Sequence, residues 1–375
     1  MRTVAWWALL YSLTVFVSVP SAFAVEPWCR ITSPQTGPVL TSLVHQLERE
    51  RNRLPAPLPR LHTEGTLPHE GLYDESVEAK RDLPLMQKAA LVWRVTHDTA
   101  WLNVARRYLL AWVTTYHPSF NPIDETSFDA LIDTYAIIDS ALLPADRTLV
   151  RAYLEKWASG YGDAMEDADS RSTWRNNWQS HRVKLVTMMA VALGNDVLFE
   201  KARVLFRKQI MANIAPNGET LDFRERDALH YVVYDLKPLI QAALAARTRG
   251  EDWYHWTTDQ GASLAKGIGW LTPYVSGRNH TRSLSIRSCV LTRFAPERGS
   301  KGILVCLTPA QQARSTGWLR NSIRPCGLWP KRFKLCQHLL LVFVDNKGRE
   351  PTVSMPGYKA VIILISGRSS CQIFF

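Results

Sequence analysis

The sequence predicts an all-α fold, and three observations support this prediction. Apolar residues recur at helical spacing through most of 83–275, as at Phe128, Leu131 and Tyr135. Short turn sequences rich in Gly, Pro and Asn separate these segments. No segment before residue 280 alternates between apolar and polar residues as a half-buried strand does. Helices joined by short turns form antiparallel hairpins, and two layers of hairpins can form an incomplete α/α toroid, although the pattern alone does not distinguish it from another helical array.

The individual helices follow from the apolar stripes and the breaks between them. Residues 25–60 are expected to be irregular, because Pro55, Pro57 and Pro59 mark an extended stretch. Beyond them the stripes and breaks predict helices over 85–96, 102–116, 128–135, 144–157, 174–193, 196–213, 227–248 and 252–270.

The first 24 residues have the features of a secretory signal peptide. Arg2 gives a positive start, an apolar stretch follows, and Ala22-Phe23-Ala24 supplies a cleavage pattern of small residues, so the mature chain is expected to begin at Val25. An uncleaved membrane anchor is the alternative, but the apolar stretch is short and a polar, proline-bearing sequence follows it. We therefore expect a periplasmic or secreted protein that has no stable membrane insertion after cleavage.

Composition divides the remaining chain into a body over 25–280 and a basic tail over 281–375. The net charge is +11, yet 15 of the 45 Lys and Arg residues and only 3 of the 34 Asp and Glu residues lie in the tail. The tail also holds five of the six cysteines, Cys289, Cys306, Cys326, Cys336 and Cys371. Its short apolar runs at 339–344 and 360–365 favour strands. Either the tail is a small accessory domain, or it is a frame-shifted end; the second interpretation is preferred.

The first candidate for chemistry is the segment 174–182, WRNNWQSHR. On a helix, Asn177 and His181 are four residues apart and share a face, so that an amide donor lies beside an imidazole. Arg175, Asn176 and Trp178 are candidate substrate-binding neighbours, and the arginines suit an acidic ligand. The alternative is that Asn176 or Asn177 caps the helix and that His181 is an ordinary polar residue.

The second candidate is the segment 221–231, LDFRERDALHY, with Tyr234 just beyond it. The preceding turn makes Asp227 a plausible capping acid, Arg224 is expected just before the helix, and Tyr231 one turn inside it. Arg226, His230 and Tyr234 are candidate binding residues. The alternative is local ion pairing among the charged residues, with the aromatic residues packed in the core.

These two motifs, NNWQSHRVKL and RERDALHYVVYDL, resemble the alginate lyase family. The segments HTEGTLP (62–68), AKRDLPLM (79–86) and NPIDE (121–125) share this resemblance, which covers about residues 60–280. It implies an α/α toroid with a long cleft that cleaves uronate polymers by β-elimination, without a metal or cofactor. The expected partner is an acidic polysaccharide, with no nucleic acid, and the protein is expected to be a monomer.

The family's catalytic set is an Asn, a His, an Arg and a Tyr. Its Arg-x6-Tyr spacing corresponds to Arg224 and Tyr231, and its Asn corresponds to Asn177. Trp178 stands where the family has its His, so His181, one turn further on, is the substitute on the same face. In β-elimination, Asn177 and Arg224 would neutralise the uronate carboxylate, Tyr231 would transfer protons, and His181 would act as an alternative base or as a second neutraliser.

Three other functions remain open at this point. A glycoside hydrolase needs two carboxylates that flank the bond, and Asp124, Glu125, Asp222 and Glu225 are available. A non-catalytic carbohydrate-binding protein is possible if the tail displaces the last helices. Nucleic-acid binding through the basic tail fits an exported protein poorly. Among uronate polymers, the sequence does not distinguish alginate from other uronates or glycosaminoglycan-like chains.

Overall fold

The computed structural model describes residues 37–275, except 167, 169, 227 and 228, together with a short hairpin near the C-terminus. Within these residues the body of the chain is helical. Its helices are α1 (Gly37–Arg49), α2 (Tyr73–Ala79), α3 (Asp82–Thr96), α4 (Thr99–Thr115), α5 (Asp129–Ile138), α6 (Pro144–Glu166), α7 (Asn177–Leu193), α8 (Asp196–Asn213), α9 (Leu221–Arg226), α10 (Leu229–Arg247) and α11 (Leu264–Val275). The prediction of an all-α body is confirmed.

Local sequence explains where several of these helices begin and end. Asp98 and Asn195 cap α4 and α8, since their side chains accept hydrogen bonds from the backbone N–H groups of Ala100 and Leu198. Helix α7 ends at Gly194, whose φ of 63° is in the left-handed region that a residue without a Cβ adopts readily. These signals place the turns of the α3–α4 and α7–α8 hairpins.

Helix α7 is the central element of the core. All of its residues except Trp178 are buried, and it packs against α5, α6, α8 and α10. A helix that is enclosed on every side must satisfy its polar residues internally. Lys184 illustrates this, because its Nζ donates to the Asp129 carboxylate at 2.9 Å and to the Thr126 hydroxyl at 3.1 Å. The polar residues of α7 therefore define specific contacts with its neighbours rather than a solvated face.

Two expectations about helix positions are wrong. The region 25–60 is not uniformly irregular, because α1 occupies part of it and packs on α3 through an apolar stripe that includes Leu43 and Leu47. No helix spans 252–270. The Asp252 carboxylate accepts the backbone N–H of His255, and Gly261 has a φ of +83°, so the chain turns repeatedly before α11 begins.

The described residues near the C-terminus form strands and not further helices. Strand β1 (Ile363–Ser366) pairs antiparallel with β2 (Ser370–Ile373), and β1 overlaps the apolar run predicted over 360–365. The predicted strand at 339–344 and the predicted signal peptide at 1–24 lie outside the described residues. In the part of the chain that the structure describes, no helix is both long and apolar enough to cross a membrane.

Candidate active site

The start of α7 places the two adjacent asparagines of the first motif. Asn176 is the cap of the helix, since its side-chain oxygen accepts the N–H of Trp178 at 3.1 Å. This confirms the capping alternative for Asn176, which is fully buried. Asn177 is the first helical residue and is also buried. Its neighbours therefore decide what its amide can do.

Asn177 is held by Asp222, which lies 45 residues further along the chain in α9. One carboxylate oxygen of Asp222 accepts the backbone N–H of Asn177 at 2.7 Å, and the other accepts its side-chain amide. Asp222 is fully buried, and this burial raises the pKa of its carboxyl group, whereas the hydrogen bonds from Asn177 and the charge of Arg226 act in the opposite direction. The first and second motifs thus meet at this carboxylate.

Arg226 extends the same contact to the candidate catalytic tyrosine. Its guanidinium group donates to the Asp222 carboxylate and lies 4.4 Å from the centre of the Tyr231 ring. Tyr231 is half-buried, and its ring centre lies 4.3 Å from that of His230, which is exposed. Asn177, Asp222, Arg226 and Tyr231 therefore form one connected group across α7, α9 and α10.

Arg224 occupies a different environment from the one expected. We predicted it just before the helix that carries Tyr231, but it lies in α9, a separate short helix, and Tyr231 is in the first turn of α10. The Arg224 side chain is exposed, and its Nη1 donates to the Glu219 carbonyl at 3.2 Å. Asp227, the predicted cap, lies outside the described residues.

His181 lies one turn further into the core, on the same face of α7 as Asn177. Its Nδ1 is 2.6 Å from the Thr126 hydroxyl oxygen, and its ring centre is 4.4 Å from that of Tyr234. Burial and then the charges of Lys184 and Lys237 hold the pKa of His181 well below its usual range, while a backbone interaction with Tyr234 acts in the opposite direction. His181 is therefore a neutral imidazole in the core and is not exposed with Arg224.

The remaining residues of the first motif place aromatic rings beside basic groups. Arg175 is exposed, and Trp178 is half-buried. Arg182 lies 3.8 Å above the Trp174 ring and 6.0 Å from the Trp178 ring, which keeps a buried guanidinium between two indoles. Indole faces and cations side by side are suited to the ring faces and carboxylates of acidic sugars.

Sequence reasoning did not identify Asp222 as a partner of Asn177, nor did it identify Asp235. Asp235 of α10 is fully buried and accepts hydrogen bonds from Ser180 at 2.6 Å and Asn213 at 2.8 Å. Burial and the nearby Asp222 raise the pKa of Asp235 well above its usual range. The available signal was position: Asp222 precedes Arg224 by two residues, and Asp235 directly follows Tyr234.

The carboxylates proposed for a hydrolase are not arranged for that reaction. Asp124 is buried and accepts the backbone N–H groups of Thr63 and Glu64 at 2.6 and 2.9 Å. Glu125 and Asp222 are also buried and engaged, and only Glu225 is exposed. A pair of accessible carboxylates that flanks a glycosidic bond is therefore not formed by these four residues. In the described part of the chain, no group of three or more His, Cys, Asp or Glu residues is placed to hold a metal ion.

Comparisons with known proteins identify a relative and a family for this chain. A curated polysaccharide lyase of Stenotrophomonas maltophilia (strain K279a) is 30% identical over 128 residues, which cover 34% of this chain and 38% of the relative. The match thus spans about two fifths of that relative's length.

Solved structures show the fold. An alginate lyase from Bacteroides ovatus superposes with a TM-score of 0.52 at 19% identity, covering 65% of this chain and 79% of that one. An alginate lyase from Sphingomonas species A1 gives a TM-score of 0.51 at 18% identity, covering 63% and 76%. These enzymes have the helical toroid fold, so the predicted incomplete α/α toroid is confirmed. The family model described as alginate lyase matches residues 32–281, and the chain therefore belongs to the alginate lyase family.

Proposed function

We propose that this protein is a polysaccharide lyase that cleaves uronate-containing polymers by β-elimination. Membership of the alginate lyase family supports this assignment, as does a named polysaccharide lyase among the relatives. The observation that carries it is the connected group in which Asp222 joins Asn177 of the first motif to Arg226 beside Tyr231. A carboxylate binder and a proton-transfer residue are then held in one site.

The chemical difficulty of β-elimination explains why cationic and amide groups are needed. The reaction removes the C5 proton of a uronate, and that proton is a very weak acid beside a carboxylate anion. Negative charge builds up on the carboxylate as the proton leaves, so a positive group next to it lowers the barrier. Arg224, whose guanidinium is exposed at α9, fits this role. Asn177 would add its remaining amide hydrogen.

Proton transfer is assigned to Tyr231. Its phenolate form would take the C5 proton and become a phenol, which would then give that proton to the sugar oxygen that leaves from C4. His181 is the less suitable base, because the burial that lowers its pKa also penalises the imidazolium ion that it would form. His181 would instead help to hold Tyr234 in place, because the two rings are in contact.

Export is part of the same proposal. The apolar stretch and the Ala22-Phe23-Ala24 pattern support a cleaved signal peptide and a periplasmic or secreted enzyme. A uronate polymer is a large anionic chain found outside the cytoplasm, which agrees with this location.

Incubation of the full chain with a panel of uronate polymers tests the proposal. The panel contains polymannuronate, polyguluronate, polyglucuronate and hyaluronan. A lyase leaves a C4–C5 double bond at each new non-reducing end, which absorbs ultraviolet light, and the polymer that reacts identifies the substrate class. New reducing ends without this absorbance would indicate hydrolysis, and polymer binding without cleavage would indicate a binding protein; either result contradicts the proposal.

A further inference from the structure

One buried carboxylate, that of Asp222, contacts two candidate site residues from two different motifs. It accepts hydrogen bonds from both the backbone and the side-chain N–H groups of Asn177 in α7, and another from the guanidinium group of Arg226 within α9. Arg226 in turn lies over the Tyr231 ring.

We propose that Asp222 is a positioning residue of the active site, which sets the orientation of the Asn177 amide and holds Arg226 over Tyr231. This inference rests on the proposed lyase function. Asp222 would not touch the substrate; it would act through its two partners. Its effect on turnover follows because reacting groups must be held to within a fraction of an ångström for efficient catalysis.

The burial of Asp222 supports a role beyond stability alone. Its side chain is completely excluded from solvent, and this burial raises the pKa of its carboxyl group, so the ionised form is held at a cost in free energy. Its partner Arg226 is 29% exposed in its side chain and therefore lies at the edge of the core. Buried acids that orient a partly exposed cation in this way are typical of residues that hold catalytic groups in position.

A simpler explanation is that Asp222 only stabilises the start of α7. Its bond to the Asn177 N–H satisfies one of the free donors of that helix, as a capping acid does. Loss of such a bond lowers stability but leaves turnover per folded molecule unchanged. Turnover and stability must therefore be measured separately.

Asp235 provides a matched control within the same polar region. It is as deeply buried as Asp222 and also joins two helices to α10, through Ser180 and Asn213. Among the described residues, the hydrogen bonds of its carboxyl group come from Ser180 and Asn213, and not from Asn177 or Arg226. Asp235→Asn thus perturbs a buried carboxyl group without altering the contacts that the proposal invokes.

The experiment compares Asp222→Asn with Asp235→Asn in the full chain, on the polymer that the wild type cleaves. We expect Asp222→Asn to lower kcat by about 10-fold to 100-fold, with KM within about twofold of the wild type, because misplaced groups slow the chemical step. Asp235→Asn is expected to leave kcat within about twofold. Thermal unfolding of both variants shows that folded proteins are compared.

A double-mutant cycle measures the coupling between Asp222 and Arg226 in kcat, which a purely structural role of Asp222 would not produce. If Asp222 acts through Arg226, then Asp222→Asn causes a much smaller loss of kcat in an Arg226→Gln background than in the wild type. Losses that multiply independently would overturn the proposal. A wild-type kcat in Asp222→Asn would also overturn it, as would an equal loss in Asp235→Asn.

The remaining outcomes are also decisive. If Asp222→Asn does not fold, Arg226→Gln alone tests the inference: a fall in kcat at constant KM supports it, and an unchanged kcat, or an effect on KM alone, refutes it. A wild type that cleaves no polymer defeats the proposed function and this inference together. An active wild type with an unaffected Asp222→Asn defeats this inference only.

Discussion

Two buried acidic clusters in this protein are built in opposite ways. The carboxyl group of Glu125 accepts hydrogen bonds from Tyr116, Ser119, Phe120, Trp157 and Tyr161, and both of its oxygens are used. Asp222 and Asp235 instead lie close enough for one to raise the pKa of the other, and one Asp235 oxygen is buried with no hydrogen-bond partner among the described residues. We refer to these as the Glu125 cluster and the Asp222 cluster.

The difference indicates which acid serves the fold and which serves the site. A carboxylate with a donor on every side fixes its surroundings in one arrangement, and the Glu125 cluster joins α4, α6 and the segment before α5 in this way. Asp222 contacts Asn177 and Arg226 of the candidate site, whereas Asp235 beside it contacts Ser180 and Asn213 and is not assigned to that site. Asp222 is connected to Tyr231 through Arg226, whereas Glu125 contacts the buried Tyr116, Trp157 and Tyr161 and the backbone N–H groups of Ser119 and Phe120.

The largest expected difference is between a tyrosine of each cluster. Tyr231→Phe removes the phenol that transfers protons, so kcat should fall by about 10²-fold to 10⁴-fold, as for loss of a general acid or base. Tyr161→Phe removes a hydrogen bond to Glu125 and should leave kcat near that of the wild type, while lowering stability by about 1–2 kcal/mol. Ultraviolet assays and urea unfolding of both variants measure these effects. Comparable losses of turnover in both variants would remove the distinction.

The second prediction concerns the stability of the Glu125 cluster itself. Both oxygens of the Glu125 carboxyl group accept hydrogen bonds. Glu125→Gln replaces one of these oxygens with an NH₂ group, so at least one buried donor loses its acceptor. The free energy of unfolding should fall by about 2–4 kcal/mol. The kcat of the molecules that remain folded should not change. Urea unfolding gives the first value and assays below the transition give the second; an active-site effect without a stability loss would reverse our assignment.

The sequence predicts the positions of the helices better than it predicts the buried side-chain clusters. Apolar spacing and caps place α7 and α8 within a few residues, because both signals are local. The pairing of Asn177 with Asp222 spans 45 residues and depends on how α7, α8, α9 and α10 pack, which no local pattern encodes. His181 shares a helix face with Asn177 as predicted, yet whether that face is a cleft or a core depends on Thr126 and Tyr234, which come from other elements.

The third prediction uses the raised pKa of Asp235. A carboxyl group with a higher pKa in the folded state keeps its proton there, so the stability that it contributes is present below its unfolded value of 3.8 and is lost as pH rises towards the folded pKa. Asp235→Asn replaces the protonated acid with a neutral group of similar shape. The decline in stability above about pH 4 should become flatter by up to about 1.4 kcal/mol per pH unit. Urea unfolding across this range tests the change, and an unaltered slope would show that Asp235 is ionised in the folded protein.

The last prediction concerns His181, where the sign of the pH dependence is reversed. Its pKa is lowered by burial, so its contribution to stability is complete above its unfolded value of 6.5 and is lost as pH falls towards the folded pKa. His181→Gln cannot be protonated, and the loss of stability below pH 6.5 should shrink in this variant, again by up to about 1.4 kcal/mol per pH unit. His255, which is exposed beside Asp252, is the matched control. His255→Gln should leave the loss of stability below pH 6.5 unchanged. If the two variants lose the same stability below pH 6.5, His181 is accessible to protons in the folded state. His181 could then act as a base in the reaction.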